Sequence, residues 1–213
     1  MISISVFLAL LAGLFSVVNP FGAMPVFLAL TKDESPAQRT AIAGKAAVFF
    51  CIILLVAFFL GMYILSFFGI TVDALRIAGG LIIFGSGSSL LKGDFARNRA
   101  IDKGVKKEAL EKDDISLTPL AIPMLSGPGS ISYLIGIKQE YSTWLDYAWI
   151  AGVIILTALF TYIILRFSPK LLAFLGKAGF NSLSRIIGFI VMSIGVQYVI
   201  GGITSVYLAL TQA

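Results

Sequence analysis

Six runs of apolar residues, each long enough to cross the hydrocarbon core of a bilayer, follow one another along this chain. A helix rises about 1.5 Å per residue, so about 20 apolar residues span the roughly 30 Å of hydrocarbon. Within lipid, every backbone polar group must be satisfied inside the protein, and an isolated run achieves this only as a helix. The sequence therefore predicts an all-α polytopic membrane protein with six transmembrane helices. We place the spans at residues 4–31, 46–68, 74–91, 115–137, 147–167 and 186–210.

The composition leaves little room for a soluble domain. The 213 residues are 58% hydrophobic and 13% charged, with a mean hydropathy of +0.97, whereas soluble domains carry about 25% charged residues. We treat residues 1–213 as a single transmembrane domain with a repeat at 4–93, a charged linker at 94–114 and a second repeat at 115–210.

Positive charge is concentrated on one side of the predicted bundle. With six alternating spans, 14 of the 16 basic residues fall in or next to the loops 32–45, 92–114 and 168–185, and only Arg76 and Lys138 fall on the other side. Lys and Arg are enriched in cytoplasmic loops. The pattern therefore predicts that these loops are cytoplasmic and both termini external, in the inner or plasma membrane. The positive-inside pattern accounts for the net charge of +5 through the orientation of the chain in the lipid bilayer. We therefore expect no nucleic-acid partner.

Proline and glycine interrupt the first and fourth runs, as NPFGAMPVF at 19–27 and IPMLSGPGS at 122–130. Proline removes a backbone donor, and the freed carbonyls are tolerated in a bilayer only against protein or a watery cavity. A restarting helix offers free N–H groups to a carboxylate, and an ending helix offers carbonyls to a cation. We therefore expect both spans to be broken mid-membrane and the two breaks to face each other as a binding site. The alternative is a pair of kinks that serve packing alone.

The candidate substrate-binding residues are those of the two breaks. They are Asn19, Pro20, Gly22, Pro25, Pro123, Ser126, Gly127, Pro128, Gly129 and Ser130. Secondary candidates are Thr31 near the first break and the polar residues within the third and sixth spans, Ser86, Ser88 and Gln197. Asn19 can donate and accept hydrogen bonds, which suits an amino-acid headgroup. The hydroxyl residues serve equally well as helix caps, and Gln197 equally well as a contact between helices.

The sequence also contains an internal repeat. RIAGGLIIFGSGSSLLKG at 76–93 aligns with RIIGFIVMSIGVQYVIGG at 185–202, and each break has two prolines five residues apart. Small residues recur every seven positions in both segments, where another backbone can approach. They are Gly79, Ser86 and Gly93, then Gly188, Gly195 and Gly202. Because a three-span unit has an odd number of crossings, the second copy must be inverted. Inverted repeats with interrupted helices are typical of alternating-access transporters.

Residue types that support catalysis are scarce. The chain has no histidine, one cysteine (Cys51) and no acidic residue in the middle of an apolar run. Asp73 lies at the end of a predicted span, where a binding site would open to water. We therefore expect no metal site, no enzymatic activity and no cofactor. Carbonyls and hydroxyls bind sodium without a carboxylate, so the sequence leaves open whether sodium, protons or no ion drives transport.

The same motifs resemble the MarC family, named for multiple antibiotic resistance, which includes archaeal small-neutral-amino-acid transporters. NPFGAMPVFLALT resembles its first-span signature, RIAGGLIIFGSGSSLL its third-span glycine motif and PLAIPMLSGPGSI its fourth-span motif. The resemblance implies a six-span inner-membrane protein of the lysine-exporter superfamily, with glycine or alanine as substrate.

Together, these observations predict a secondary transporter of small neutral amino acids that works by alternating access. Two alternatives stay open: a channel or exporter for another small solute, and a membrane structural or regulatory protein without transport. The sequence predicts neither the direction of transport nor the oligomeric state.

Overall fold

The described part of the chain is a bundle of helices. The computed structural model describes residues 2–92 and 115–211, and this part contains no strand. The helices are α1 (Ile4–Val18), α2 (Pro20–Leu30), α3 (Pro36–Phe67), α4 (Val72–Lys92), α5 (Ser116–Leu125), α6 (Pro128–Lys138), α7 (Trp144–Gly176) and α8 (Ala178–Thr211). The all-α prediction is confirmed, and the predicted linker at 94–114 lies outside the described residues.

Five helical segments of the described residues are long and apolar enough to cross a membrane. They are α1 with α2, then α3, α4, α7 and α8. A sixth crossing results if α5 and α6, which are bent by 59°, form one span. α5 has π-type hydrogen bonding with extended residues at Thr118 and Ile122. An integral membrane protein with five to six spanning helices is therefore supported.

Two segments predicted as loops are largely helical. α3 begins at Pro36 because Ser35 caps it: the Ser35 Oγ accepts from the Gln38 N–H at 3.3 Å, and the Gln38 Oε1 accepts from the Ser35 N–H at 3.0 Å. Segment 168–185 is helical apart from Gly176, whose φ of 63° suits glycine. The loop bounds 32–45 and 168–185 are therefore wrong, because apolar runs mark only the part of each helix that lies in hydrocarbon.

Glycines bring α4 and α8 into backbone contact. A Cβ on Gly195 would lie 2.6 Å from the carbonyl oxygen of Gly80, and a Cβ on Gly188 would lie 2.9 Å from that of Gly87. Real Cβ atoms do not approach that closely, so only glycine permits this separation. Because the residue number rises along α4 as it falls along α8, the two helices are antiparallel.

The glycines of α4 lie on two faces, and each face is approached by a different helix. Gly80 and Gly87 face α8, whereas a Cβ on Gly79 would contact the side chain of Ser132 in α6. Glycine occupies both 79 and 80, so the sequence pattern did not distinguish the two faces. On α8, the predicted glycines Gly188 and Gly195 are the residues that contact α4.

The two short helices lie at the centre of the bundle. Seven of the 11 residues of α2 and eight of the 11 residues of α6 are buried, whereas the apolar windows of the five long segments are 22–39% buried. The ends of both interruptions are therefore enclosed by protein rather than lipid. Within the hydrocarbon region, a non-helical backbone is tolerated only when protein or a watery cavity surrounds it.

Candidate functional site

Asn19 forms the first interruption, between α1 and α2. It has left-handed backbone angles (φ 50°, ψ 67°), which asparagine tolerates better than other non-glycine residues. Its Oδ1 accepts from the Gly22 N–H at 3.1 Å and thereby caps α2. Pro20 fits the first position of α2, where no N–H is needed. The carbonyl of Ser16 consequently lacks the i+4 donor that a continuous helix would supply.

The second interruption lies between α5 and α6, at Ser126 and Gly127. Pro128 occupies the first position of α6, and no side chain caps this N-terminus. The N–H groups of Ser130 and Ile131 both donate to the Gly127 carbonyl, at 3.1 and 3.2 Å. A helix start inside the bundle without a side-chain cap has partial positive charge available to an anionic group.

Each interruption carries a buried polar atom without a hydrogen-bond partner among the described residues. These atoms are the Nδ2 of Asn19 and the Oγ of Ser126, and each residue is 4% exposed. The bond from Gly22 to Oδ1 fixes the amide orientation and leaves the Nδ2 donor unused. Leaving a buried polar group unsatisfied costs about 1–3 kcal/mol. A small polar ligand that reached either atom would supply the missing hydrogen bond.

The two interruptions are neighbours in space. A Cβ on Gly129, the second residue of α6, would lie 3.8 Å from the Cγ1 of Val17 near the end of α1. It would lie 2.9 Å from the Cγ1 of Ile83 in α4, a side chain that is almost fully buried. The start of α6 is therefore enclosed by α1 and α4, and Gly129 is the residue that lets them approach.

The remaining break residues differ in position. Pro20 and Gly22 are buried at the first interruption, and Gly127 is buried at the second. Pro25 is accommodated within α2, and Pro123 and Pro128 are exposed. Pro123 and Pro128 therefore lie at the surface of the described bundle, and their role in substrate binding stays a prediction.

Two predicted hydroxyl residues bond to their own backbone. The Oγ1 of Thr31 donates to the Phe27 carbonyl at 2.8 Å, and the Oγ of Ser130 donates to the Gly127 carbonyl at 2.9 Å. The alternative role as local backbone partners therefore describes both in this structure. Ser130 is still adjacent to the second interruption, whereas Thr31 ends α2.

The other secondary candidates lie on the long helices α4 and α8. Ser86 and Ser88 are half-buried on α4. Gln197 is exposed on α8 and lines a groove of about 370 Å³ between α1, α6 and α8 with Ser16 and Tyr133. Val17 and Ile83 could not be predicted as neighbours of the interruptions, because an apolar residue in an apolar run carries no signal of what it contacts.

The chemistry available at the interruptions is that of amides, hydroxyls and backbone groups. Across residues 2–92 and 115–211, no three His, Cys, Asp or Glu side chains come together to hold a metal ion. The interruptions contain no charged side chain of their own. This arrangement can bind a small neutral or zwitterionic solute through hydrogen bonds and helix termini.

The comparisons with known proteins agree over nearly the whole chain. A family model described as "MarC family integral membrane protein" matches residues 4–207. A "UPF0056 membrane protein" of Buchnera aphidicola is 35% identical over 99% of this chain and 97% of its own. "UPF0056 membrane protein YvbG" of Bacillus subtilis is 38% identical (93% and 94% covered), and YhcE of Escherichia coli is 33% identical (92% and 90%). No solved structure matches the chain significantly.

Proposed function

The chain belongs to the MarC family of integral membrane proteins, and from this premise we propose that it is a secondary transporter of small neutral amino acids working by alternating access. The observation that carries the proposal is the pair of unpartnered buried atoms, Asn19 Nδ2 and Ser126 Oγ, at neighbouring helix interruptions. A structural protein would gain stability from continuous helices there, because each unsatisfied group is costly in a bilayer.

The chemistry of the interruptions suits a zwitterion. The uncapped start of α6 and the Nδ2 of Asn19 are donors that favour a carboxylate. The carbonyl of Ser16, freed by Pro20, is an acceptor that favours an ammonium group. A charged side chain on the solute would be left unpaired in a low-dielectric site. The Ile83 side chain lies beside Gly129 and limits the size of the solute. This limit supports glycine and alanine as substrates.

The lengths and starts of the helices support the inverted repeat on which alternating access depends, in a register that differs from the sequence alignment. α2 and α6 are both 11 residues long and begin with proline, 108 positions apart (128 − 20). The starts of α3 and α7 have the same separation (144 − 36). The glycine contacts also fit it, since Gly80 corresponds to Gly188 and Gly87 to Gly195. In this register Pro20 corresponds to Pro128.

Two antiparallel copies of this kind are interconvertible by a pseudo-two-fold axis in the membrane plane. If each copy adopts the conformation of the other, the interruptions open to one face and then to the opposite face. The site itself stays near the midplane while the surrounding helices move. This is the mechanism we propose for the exchange of solute between the two sides.

A thermal-stability screen of the purified protein tests the substrate class. Glycine and alanine at about 100 times their Kd should stabilise the fold by about 2.7 kcal/mol, a rise in Tm of roughly 5–10 °C for a chain of this size. Leucine, lysine and glutamate should leave Tm unchanged. The screen is run with and without sodium, because a larger glycine shift with sodium would identify a coupling ion. If no amino acid raises Tm, the proposed function is wrong.

Counterflow separates a transporter from a channel. Proteoliposomes loaded with unlabelled glycine should accumulate labelled glycine transiently, because a carrier exchanges one bound solute for another. A channel would only equilibrate the label. Saturable uptake with counterflow is the expected result, and equilibration without it would favour the channel alternative.

Cysteine labelling tests the proposed orientation, in which both termini are external. In a Cys51→Ala background, Gln139→Cys in the turn after α6 should react with a membrane-impermeant maleimide added to intact cells. Lys170→Cys, near the opposite end of the bundle, should react only after the cells are permeabilised. The reverse pattern would invert the orientation and leave the fold unchanged.

A further inference from the structure

The far end of α6 is held by an arginine from α4. Arg76 donates from its Nη2 to the Gly136 carbonyl at 2.8 Å and to the Glu140 Oε1 at 2.6 Å. The Glu140 N–H bonds to the Ile137 carbonyl, so the Gly136 carbonyl is one of the terminal carbonyls of α6 that lack a helical partner. The guanidinium supplies that partner and complements the negative end of the helix dipole.

Tyr198 of α8 holds the same face of α6 one turn earlier. Its hydroxyl donates to the Tyr133 carbonyl at 2.9 Å, and the two rings stack with centroids 5.2 Å apart. A Cβ on Gly136 would lie 3.3 Å from both the Arg76 Nε and the Tyr198 Cε1. Glycine at 136 is therefore what lets both side chains reach the α6 backbone together.

The corresponding short helix has a similar contact at the opposite end of the bundle. Arg39 of α3 donates from its Nη2 to the Thr31 carbonyl at the end of α2, at 2.8 Å. Each of the two helices that begin at an interruption therefore ends against an arginine. The end of α2 lies beside the start of α3 through the Arg39 contact, whereas the Lys138 Nζ at the end of α6 donates to the Phe59 carbonyl in the last third of α3. The two arginines therefore lie at opposite ends of the bundle.

We propose that Arg76 and Tyr198 form a latch that closes the route from the α6 end of the bundle to the two interruptions. The inference rests on the proposed function, since a latch matters only where a central site is reached from both faces. α6 joins the second interruption directly to the latch over 11 residues. Release of its far end from α4 and α8 therefore opens a path along its buried face to Ser126.

The contacts of the latch are weak enough to break and form again. The Glu140 side chain is 60% exposed, whereas the Arg76 side chain is 17% exposed. An ion pair with one exposed partner contributes little because water replaces it readily. The hydrogen bond from Arg76 to the Gly136 carbonyl is more buried and provides most of the closure.

Cysteine accessibility tests the latch without any solute. The reporter is Ser130→Cys in a Cys51→Ala background, at a position that is 2% exposed. A membrane-impermeant maleimide is added from the face at which α6 ends. Arg76→Ala should raise the rate of reaction about tenfold, because a charge-assisted hydrogen bond to a partly buried carbonyl is lost. Arg39→Ala, which removes the matching contact at the other end, should leave the rate from this face unchanged.

A second variant keeps the test informative if Arg76→Ala does not fold. Tyr198→Phe retains the stacked ring and removes only the hydroxyl that bonds to Tyr133, so a smaller increase in the same direction is expected. Unchanged reactivity in folded Arg76→Ala and Tyr198→Phe proteins would overturn the latch, as would an equal increase in Arg39→Ala. A failed amino-acid screen with increased reactivity would reject the proposed substrate and retain the latch as a gate for another solute.

Discussion

Gly195→Leu should strongly destabilise the packing of α4 against α8. A Cβ at this position would lie 2.5 Å from the Phe84 backbone nitrogen and 2.6 Å from the Gly80 carbonyl oxygen. Backbone atoms inside helices cannot move aside as side chains do, so α4 and α8 must separate along their shared face. Overpacking of this kind costs about 3 kcal/mol or more. We expect Tm to fall by roughly 6–12 °C in detergent.

The chain provides a matched control for this substitution. A Cβ on Gly85 of α4 or Gly201 of α8 would meet no atom within 4 Å. Gly85→Leu and Gly201→Leu therefore add the same side chain to the same two helices on open surface. Their Tm should stay within a few degrees of the parent or rise, since leucine favours helix over glycine. If Gly195→Leu is no less stable than these controls, the backbone contact between α4 and α8 is wrong.

The spanning helices and the positions of both interruptions were predictable from local sequence. A long apolar run determines a spanning helix locally, and a proline beside asparagine or glycine determines a helix break within a few residues. The helix ends were less predictable, because capping by Ser35 and the continued helix through 168–185 depend on polar residues outside the apolar runs. Local chemistry thus predicted which elements form, and only approximately where they stop.

The face that each helix presents to its neighbours was not predictable. Glycine at both 79 and 80 satisfies a seven-residue pattern, and only the packed bundle shows that Gly80 meets α8. The contact between Ile83 and Gly129, which are 46 positions apart in the sequence, is likewise visible only in the packed bundle. The Arg76 contact to Gly136 spans 60 residues. Such contacts depend on the rotation of whole helices, which a single sequence does not encode in its local pattern.

Asn19→Asp should weaken glycine binding strongly, and the new carboxylate at this buried position should also lower the stability of the fold. Aspartate tolerates the left-handed backbone and retains the oxygen that accepts from the Gly22 N–H. The only atom exchanged is the unpartnered Nδ2, which becomes an oxygen. The ligand then loses a hydrogen bond worth about 1–3 kcal/mol and meets a second carboxylate in a buried site. We expect the Kd for glycine, measured by calorimetry in detergent, to rise at least about thirtyfold.

Ser126→Ala tests the other interruption, and Thr31→Val serves as the control. Removing the unpartnered Ser126 hydroxyl should weaken glycine binding by about five- to a hundredfold, with little change in Tm because no bond within the protein is lost. The Thr31 hydroxyl is equally buried, but it bonds to the Phe27 carbonyl of its own helix. Thr31→Val should therefore preserve the Kd. If Asn19→Asp and Ser126→Ala both bind glycine like the parent, the unpartnered atoms are tolerated costs of the backbone breaks and the solute binds elsewhere.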